Sequence, residues 1–270
     1  MKKILSILLL TVVLASCSEY QNAIKSDDLA VKYAVAEKLY EKGKYSKAIR
    51  LFEQMSSAYR GKPNAEKMFY MFGQSYYKTE SYYLAGYQLD LFASSYPRSE
   101  MAQEAAYLSA KSFYLLSPRY SLEQGDTYKA IDKLQAFIDR YPNSEYVSEA
   151  NTLVQDLQNK LEKKAFEVAV NYHTVGEYNR SYGPAIIALD NFMLDFPGTK
   201  YKEEALYYKF DSAYLQATNS VESKKIERLN LAKAASASLY KFKADTKFKD
   251  EVDTKLATIE KELQQYSKQL

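Results

Sequence analysis

The sequence predicts an all-α protein, a solenoid of stacked helical hairpins closed by a C-terminal capping helix. Three observations carry this. The 270 residues are 47% apolar and 26% charged, with only 8 Gly and 6 Pro. Such a chain can bury a sizeable core and is too poor in breakers for a disordered tail or a Gly-rich sandwich. Aligning Ala48, Ala85, Ala130 and Ala185 then brings four segments into register. Phe52, Leu89, Leu134 and Leu189 stand four residues on; Met55, Phe92, Phe137 and Phe192 stand seven on; Tyr59, Tyr96, Tyr141 and Phe196 stand eleven on. Offsets of four, seven and eleven mark one stripe of an α-helix. Finally, three of these helices stop at Pro97, Pro142 or Pro197, each followed two residues later by a candidate N-cap, Ser99, Ser144 or Thr199. The residue before a proline avoids helical geometry and a Ser/Thr oxygen satisfies free N–H groups, so helix end and helix start are written together.

Taken from the N-terminus, Met1-Lys2-Lys3 is a short basic region, Ile4 to Leu14 is an apolar run, and Leu14-Ala15-Ser16-Cys17 follows. This is the pattern of an export signal, too short for a permanent bilayer span. The small residues before Cys17 resemble the lipobox of bacterial lipoproteins. That resemblance implies a signal peptide over 1–16, cleavage before Cys17, a diacylglycerol on its thiol and an acyl chain on the new amine. Three chains anchor stably where one binds only marginally. An ordinary secretory signal beside a stray cysteine is the alternative, although the chain's single Cys stands where lipidation needs it. Ser18, rather than Asp, follows it; by resemblance to enterobacterial sorting rules this implies the outer membrane, facing the periplasm. Residues 17–28 are polar and read as a tether.

The globular part is expected from Leu29, with N-terminal repeats over 29–140 and C-terminal repeats and capping helices over 141–270. A second set of helices precedes the alanine-anchored set: Ala65 to Tyr70 aligns with Ala102 to Tyr107 and, in the same register, Glu203 to Tyr207. The alanines are unequally spaced, which places insertions near 117–124 and inside a long charged helix over 145–176. With Gly73 and Tyr76 before Ala85, the offsets resemble tetratricopeptide (TPR) repeats, although Arg60 replaces the proline of the first repeat and the fourth has a polar first helix. A plain helical bundle is the alternative. Near the end, Phe248, Val252, Leu256, Ile259, Leu263 and Tyr266 recur at alternating four and three residues. They make an amphipathic seam that suits either a cap on the last repeat or a partner-binding helix.

Charge and composition exclude several functions. The chain has 37 basic and 34 acidic residues, and Lys2 and Lys3 belong to the signal. A nearly neutral protein does not bind nucleic acid by neutralising phosphates. One His and one Cys leave no set for most metal, thiol or imidazole chemistry. No Gly-rich phosphate loop, GxSxG or HExxH is present. His173 reads as an exposed or satisfied side chain, and the adjacent pairs Asp27-Asp28 and Glu203-Glu204 suit helix starts and solvated faces. No enzyme, catalytic residue, metal or cofactor is expected.

Tyrosine, with 27 copies and no Trp beside it, is the anomaly. Tyr33, Tyr70, Tyr107 and Tyr207 share one repeat position; Tyr40, Tyr77, Tyr114 and Tyr214 lie seven residues further on. Seven residues is two turns, so stacked repeats would carry two parallel rows. In the TPR register these positions face the concave groove, where Tyr33, Tyr40, Tyr70, Tyr77, Tyr107 and Tyr114 would hold an extended peptide by ring area and hydroxyl. The same positions would equally serve rings packed between helices.

Several runs carry a wider resemblance: Tyr33-Ala34-Val35-Ala36-Glu37-Lys38-Leu39, Gly43 to Ala48-Ile49, Tyr141-Pro142-Asn143-Ser144-Glu145-Tyr146, and Val168-Ala169-Val170-Asn171-Tyr172-His173 leading to Asp195-Phe196-Pro197-Gly198-Thr199. From Leu29 to Gln216 the chain resembles the BamD family, lipoproteins of the β-barrel assembly machine. The resemblance implies five TPR-like repeats, an N-terminal half engaging unfolded outer-membrane proteins, and a C-terminal half bound to the POTRA domains of BamA. It places the latter contact near Tyr178, Arg180 and Tyr182. Ala188 stands where some relatives carry an Arg, so that contact does not transfer. The expected function is a non-catalytic scaffold of barrel assembly, lipid-anchored to the membrane; another periplasmic TPR lipoprotein, an adaptor of cell-envelope or uptake complexes, is the alternative.

Overall fold

The computed structural model describes residues 19–267, and these are helices joined by short turns. Two compact units divide at Gln158/Asn159, inside a long helix and not at the expected boundary near residue 141.

Unit 1 opens with a helix over 19–25, where a polar tether was expected. Tyr20 and Ala23 are the reason: both are buried in the first core cluster, and apolar area on one face suffices to dock so short a helix. The hairpins follow as α1 (Leu29–Glu41) with α2 (Tyr45–Met55), α3 (Ala65–Lys78) with α4 (Tyr82–Ser95), and α5 (Ala102–Leu116) with α6 (Gly125–Arg140). Asp28 caps α1, its carboxylate accepting from the Ala30 N–H at 2.8 Å. Helix α7 (Val147–Asn179) contributes its first turns here.

The alanine-anchored stripe is the core. Ala48, Phe52, Met55, Ala85, Leu89, Phe92, Ala130, Leu134 and Phe137 are all buried. Gly73 lets α4 approach α3, since a Cβ on it would stand 2.7 Å from Leu89 Cδ2. The insertion near 117–124 is a loop held by Gln124, whose amide donates to the carbonyls of Arg119 and Leu122 at 2.9 and 2.8 Å and whose oxygen accepts from Thr127 at 2.7 Å.

The proline links work one turn earlier than expected. Ser99, Ser144 and Thr199 accept from the N–H groups of Met101, Tyr146 and Tyr201, but the α-helices begin only at Ala102, Val147 and Lys202. These side chains close a short turn ahead of each helix, an ST-turn rather than a helix cap.

Unit 2 contains the rest of α7, then α8 (Gly183–Asp195), α9 (Lys202–Thr218), α10 (Glu222–Phe242) and α11 (Lys249–Ser267). Phe166 of α7 packs on Phe192 of α8 with ring centroids 5.5 Å apart. Among the described residues, α1 to α10 follow one another as five helix pairs, with α11 after them. The seam of α11 is spent on this core: Val252 and Ile259 are fully buried, and Phe248, Leu263 and Tyr266 pack beside them. It is therefore a cap. The turn before it is clamped by Glu203, which accepts from Lys243 Nζ, Thr246 Oγ1 and the Lys247 N–H at 2.7–2.9 Å. These donors push its carboxyl down to about 2.

Candidate binding surfaces

The first tyrosine row is not a groove lining. Tyr33, Tyr70, Tyr107 and Tyr207 are each less than a tenth exposed. A repeated device buries them: a ring on the first helix of a pair stacks face to face on a ring from the link leaving its second helix. Tyr33 lies on Tyr59 at 5.5 Å and 8°, Tyr107 on Tyr146 at 4.6 Å and 6°, and Tyr207 on Phe248 at 3.8 Å and 9°. Phe166 on Tyr201, at 4.6 Å and 7°, completes the series. Tyr70 instead tilts against Phe92 at 5.4 Å.

The hydroxyls of Tyr33, Tyr40 and Tyr70 are tied to polar partners. Tyr33 donates to Glu37 at 3.0 Å, and Glu37 pairs with Lys67 at 2.6 Å. Tyr40 bonds Gln74, Gln74 Nε2 donates to the Tyr70 hydroxyl at 2.6 Å, and Tyr70 bonds Glu104, a polar chain across α1, α3 and α5. Burial first, then the bonded carboxylates, raise the Tyr33 and Tyr70 phenols well above their usual range, so both remain donors at physiological pH.

The second row differs. Tyr40, Tyr77 and Tyr114 are half-buried; Tyr40 and Tyr77 lie edge-on to Tyr45 and Tyr82, and Tyr114 donates to Asp156 at 3.0 Å. This row, with Gln74 and Lys111 beside it, is the part of the expected site that meets solvent.

In unit 2 the end of α7 and the turn after it also divide. Tyr178 is 87% exposed and Arg180 is exposed with φ of 56°. Tyr182 is buried, its ring over Gly176, where a Cβ would come within 2.7 Å of Cδ1. It is a core residue, contrary to the expected surface role. His173 is buried too: Nδ1 lies 2.9 Å from Ser212 Oγ and Nε2 3.4 Å from Asp211.

Sequence reasoning missed a groove of about 560 Å³ between α7 and α8, lined by Val168, Ala169, Tyr172, Ile187, Ala188 and Phe192. Val168, Tyr172 and Ile187 are exposed. Ala188, where some relatives were expected to carry Arg, lines its floor. The available signal was the apolar residues on α8 outside the alanine stripe.

A family model described as an outer membrane lipoprotein, YfiO, matches residues 26–182, more than half of the chain. The chain belongs to the YfiO family of outer membrane lipoproteins. A second model, the prokaryotic membrane lipoprotein lipid attachment site, matches residues 1–18 and so covers Cys17, which lies outside the described residues. Curated relatives share the YfiO family's theme: outer membrane protein assembly factor BamD of Caulobacter vibrioides is 23% identical over 193 residues, 72% of this chain and 62% of that protein. The BamD proteins of Neisseria meningitidis serogroup B and Neisseria gonorrhoeae are each 25% identical over 240 residues, 80% of this chain and 88% of theirs. The chain thus spans less than two thirds of the Caulobacter relative. As a YfiO-family member carrying the attachment motif, it is a lipid-anchored outer membrane lipoprotein with an all-helical, TPR-like fold.

Proposed function

We propose that the protein is a non-catalytic scaffold of the outer-membrane β-barrel assembly machine, facing the periplasm, that binds unfolded outer-membrane protein segments and the POTRA domains of a BamA-like protein. The observation that carries this reading is the family match over 26–182, with relatives named as outer membrane protein assembly factors. Nascent barrel strands alternate apolar and polar side chains, and the half-buried row of Tyr40, Tyr77 and Tyr114 offers ring edges beside hydrogen-bonding groups. The buried tyrosines Tyr33, Tyr70 and Tyr107 set the spacing of that row. For the BamA-like partner, the α7–α8 groove supplies exposed apolar area, extended by Tyr178 and Arg180.

Tyr172 and Ile187 project from that groove, and truncating a hot-spot aromatic costs on the order of 2 kcal/mol, about thirtyfold in affinity. The variant Tyr172→Ala/Ile187→Asp is expected to lose most of its recovery with the BamA-like protein while unfolding as the parent does. Undiminished recovery would remove the groove as the contact.

A further inference from the structure

We propose that the turn joining α1 and α2 is a phospholipid-contacting rim, held against the headgroups by the lipid anchor itself. The inference rests on the attachment motif and not on the proposed partners.

The geometry begins with the helix over 19–25. It is fastened at both ends: Glu19 accepts from Lys38 Nζ at 2.7 and 2.8 Å, and the Ile24 carbonyl accepts from Lys32 Nζ at 3.1 Å. Lys38 lies in the last turn of α1 and Lys32 in its first half, so the short helix runs antiparallel to α1 and starts at the α1–α2 turn. Tyr20, buried in the core, has Lys47 of α2 5.1 Å over its ring. Only Ser18 separates Cys17 from Glu19. Two residues span at most about 7 Å, so an acylated Cys17 holds the start of the short helix, with the α1–α2 turn beside it, close to the bilayer surface, where charges act over a Debye length of about 8 Å.

That turn carries the matching charge. Lys42, Lys44 and Lys47 are exposed, as is Lys38; Lys42 and Lys44 have no carboxylate partner among the described residues. Glu41 is the one unpaired acid beside them, and Glu19 is spent on Lys38. A cationic surplus on a tight turn, closed at Gly43 with φ of 68°, fits phosphate headgroups through its lysine side chains. Lysines held near an anionic surface are attracted within that same Debye length.

The test uses the acylated full-length mature protein, whose own thiol is consumed by lipidation. Ser46→Cys on the rim and Lys62→Cys beyond the far end of α2 each introduce one free thiol for a polarity-sensitive fluorophore; both sites are exposed. Ser46 stands in the first turn of a helix of 11 residues, Tyr45–Met55, about 16 Å long, and Lys62 lies in the turn segment past its last residue. Reconstituted in phosphatidylethanolamine/phosphatidylglycerol vesicles bearing a headgroup quencher, the Ser46 label is expected to be quenched several-fold more than the Lys62 label. Lys42→Glu/Lys44→Glu in the Ser46→Cys background should abolish the difference. Equal quenching at both sites, or quenching indifferent to charge reversal, would overturn the rim. Absence of acyl chains from the intact mass would overturn the anchor and the rim together, and a Ser46 label protected only when another membrane protein is co-reconstituted would assign the turn to a protein partner instead.

Discussion

Tyr70→Ala is expected to destabilise the protein by about 3–5 kcal/mol, the cost of truncating a buried aromatic. Its ring packs on Phe92 and its hydroxyl joins Gln74 to Glu104, so truncation opens a cavity and strips two half-buried polar groups of a partner. Tyr70→Phe keeps the ring and should lose only about 1–2 kcal/mol. A half-buried residue of the second row behaves differently: Tyr77→Ala should cost clearly less than Tyr70→Ala in chemical denaturation. A peptide copying the last strand of an outer-membrane barrel separates the roles, because binding should weaken for Tyr77→Ala under conditions where the fold is intact. If Tyr70→Ala leaves the unfolding midpoint unchanged, the first row is not the core that its stacking indicates.

Asp211→Ala is the second large effect. Asp211 is buried and holds Lys255, reaching from α11, at 2.5 Å, with His173 Nε2 at 3.4 Å. Removing the shared acceptor leaves a cation and an imidazole without their carboxylate, which costs about 3–5 kcal/mol when the survivors are buried. Lys255 retains Glu251 at 2.5 Å and is one-fifth exposed, which sets the expectation at the lower end of that range. Asp211→Leu/Lys255→Met, which removes both charges, should recover part of the loss in urea unfolding. A single variant as stable as the parent would show that α11 is held without this buried ion pair.

The helical stripe was legible because core packing needs a fixed period: the alanine offsets named Phe52, Leu89, Leu134 and Leu189, and each is fully buried. The loop near 117–124, the long α7 and the seam of α11 followed from the same periodicity and its interruptions. What periodicity does not reveal is which neighbour covers a helix face. Tyr33 and Tyr107 share a face with Tyr40 and Tyr114, yet are buried by rings from distant links, Tyr59 and Tyr146. Tyr59 stands eleven residues after Ala48 and Tyr146 sixteen after Ala130, so no single offset names the covering ring and only the fold brings the pairs together. Tyr182 was read as surface for a similar reason, since its burial depends on the space over Gly176; a lone glycine inside a long helix was the signal for it. The helix over 19–25 was hidden by its polar composition, although Tyr20 and Ala23, three residues apart, share a face.

Affinity purification of the tagged protein from detergent-solubilised outer membranes, with mass spectrometry of what accompanies it, tests the scaffold reading most directly. A POTRA-bearing BamA-like barrel protein is expected as the principal companion, depleted in the Tyr172→Ala/Ile187→Asp variant. Recovery of cell-wall synthases or an uptake transporter, with no BamA-like protein among the companions, would contradict it.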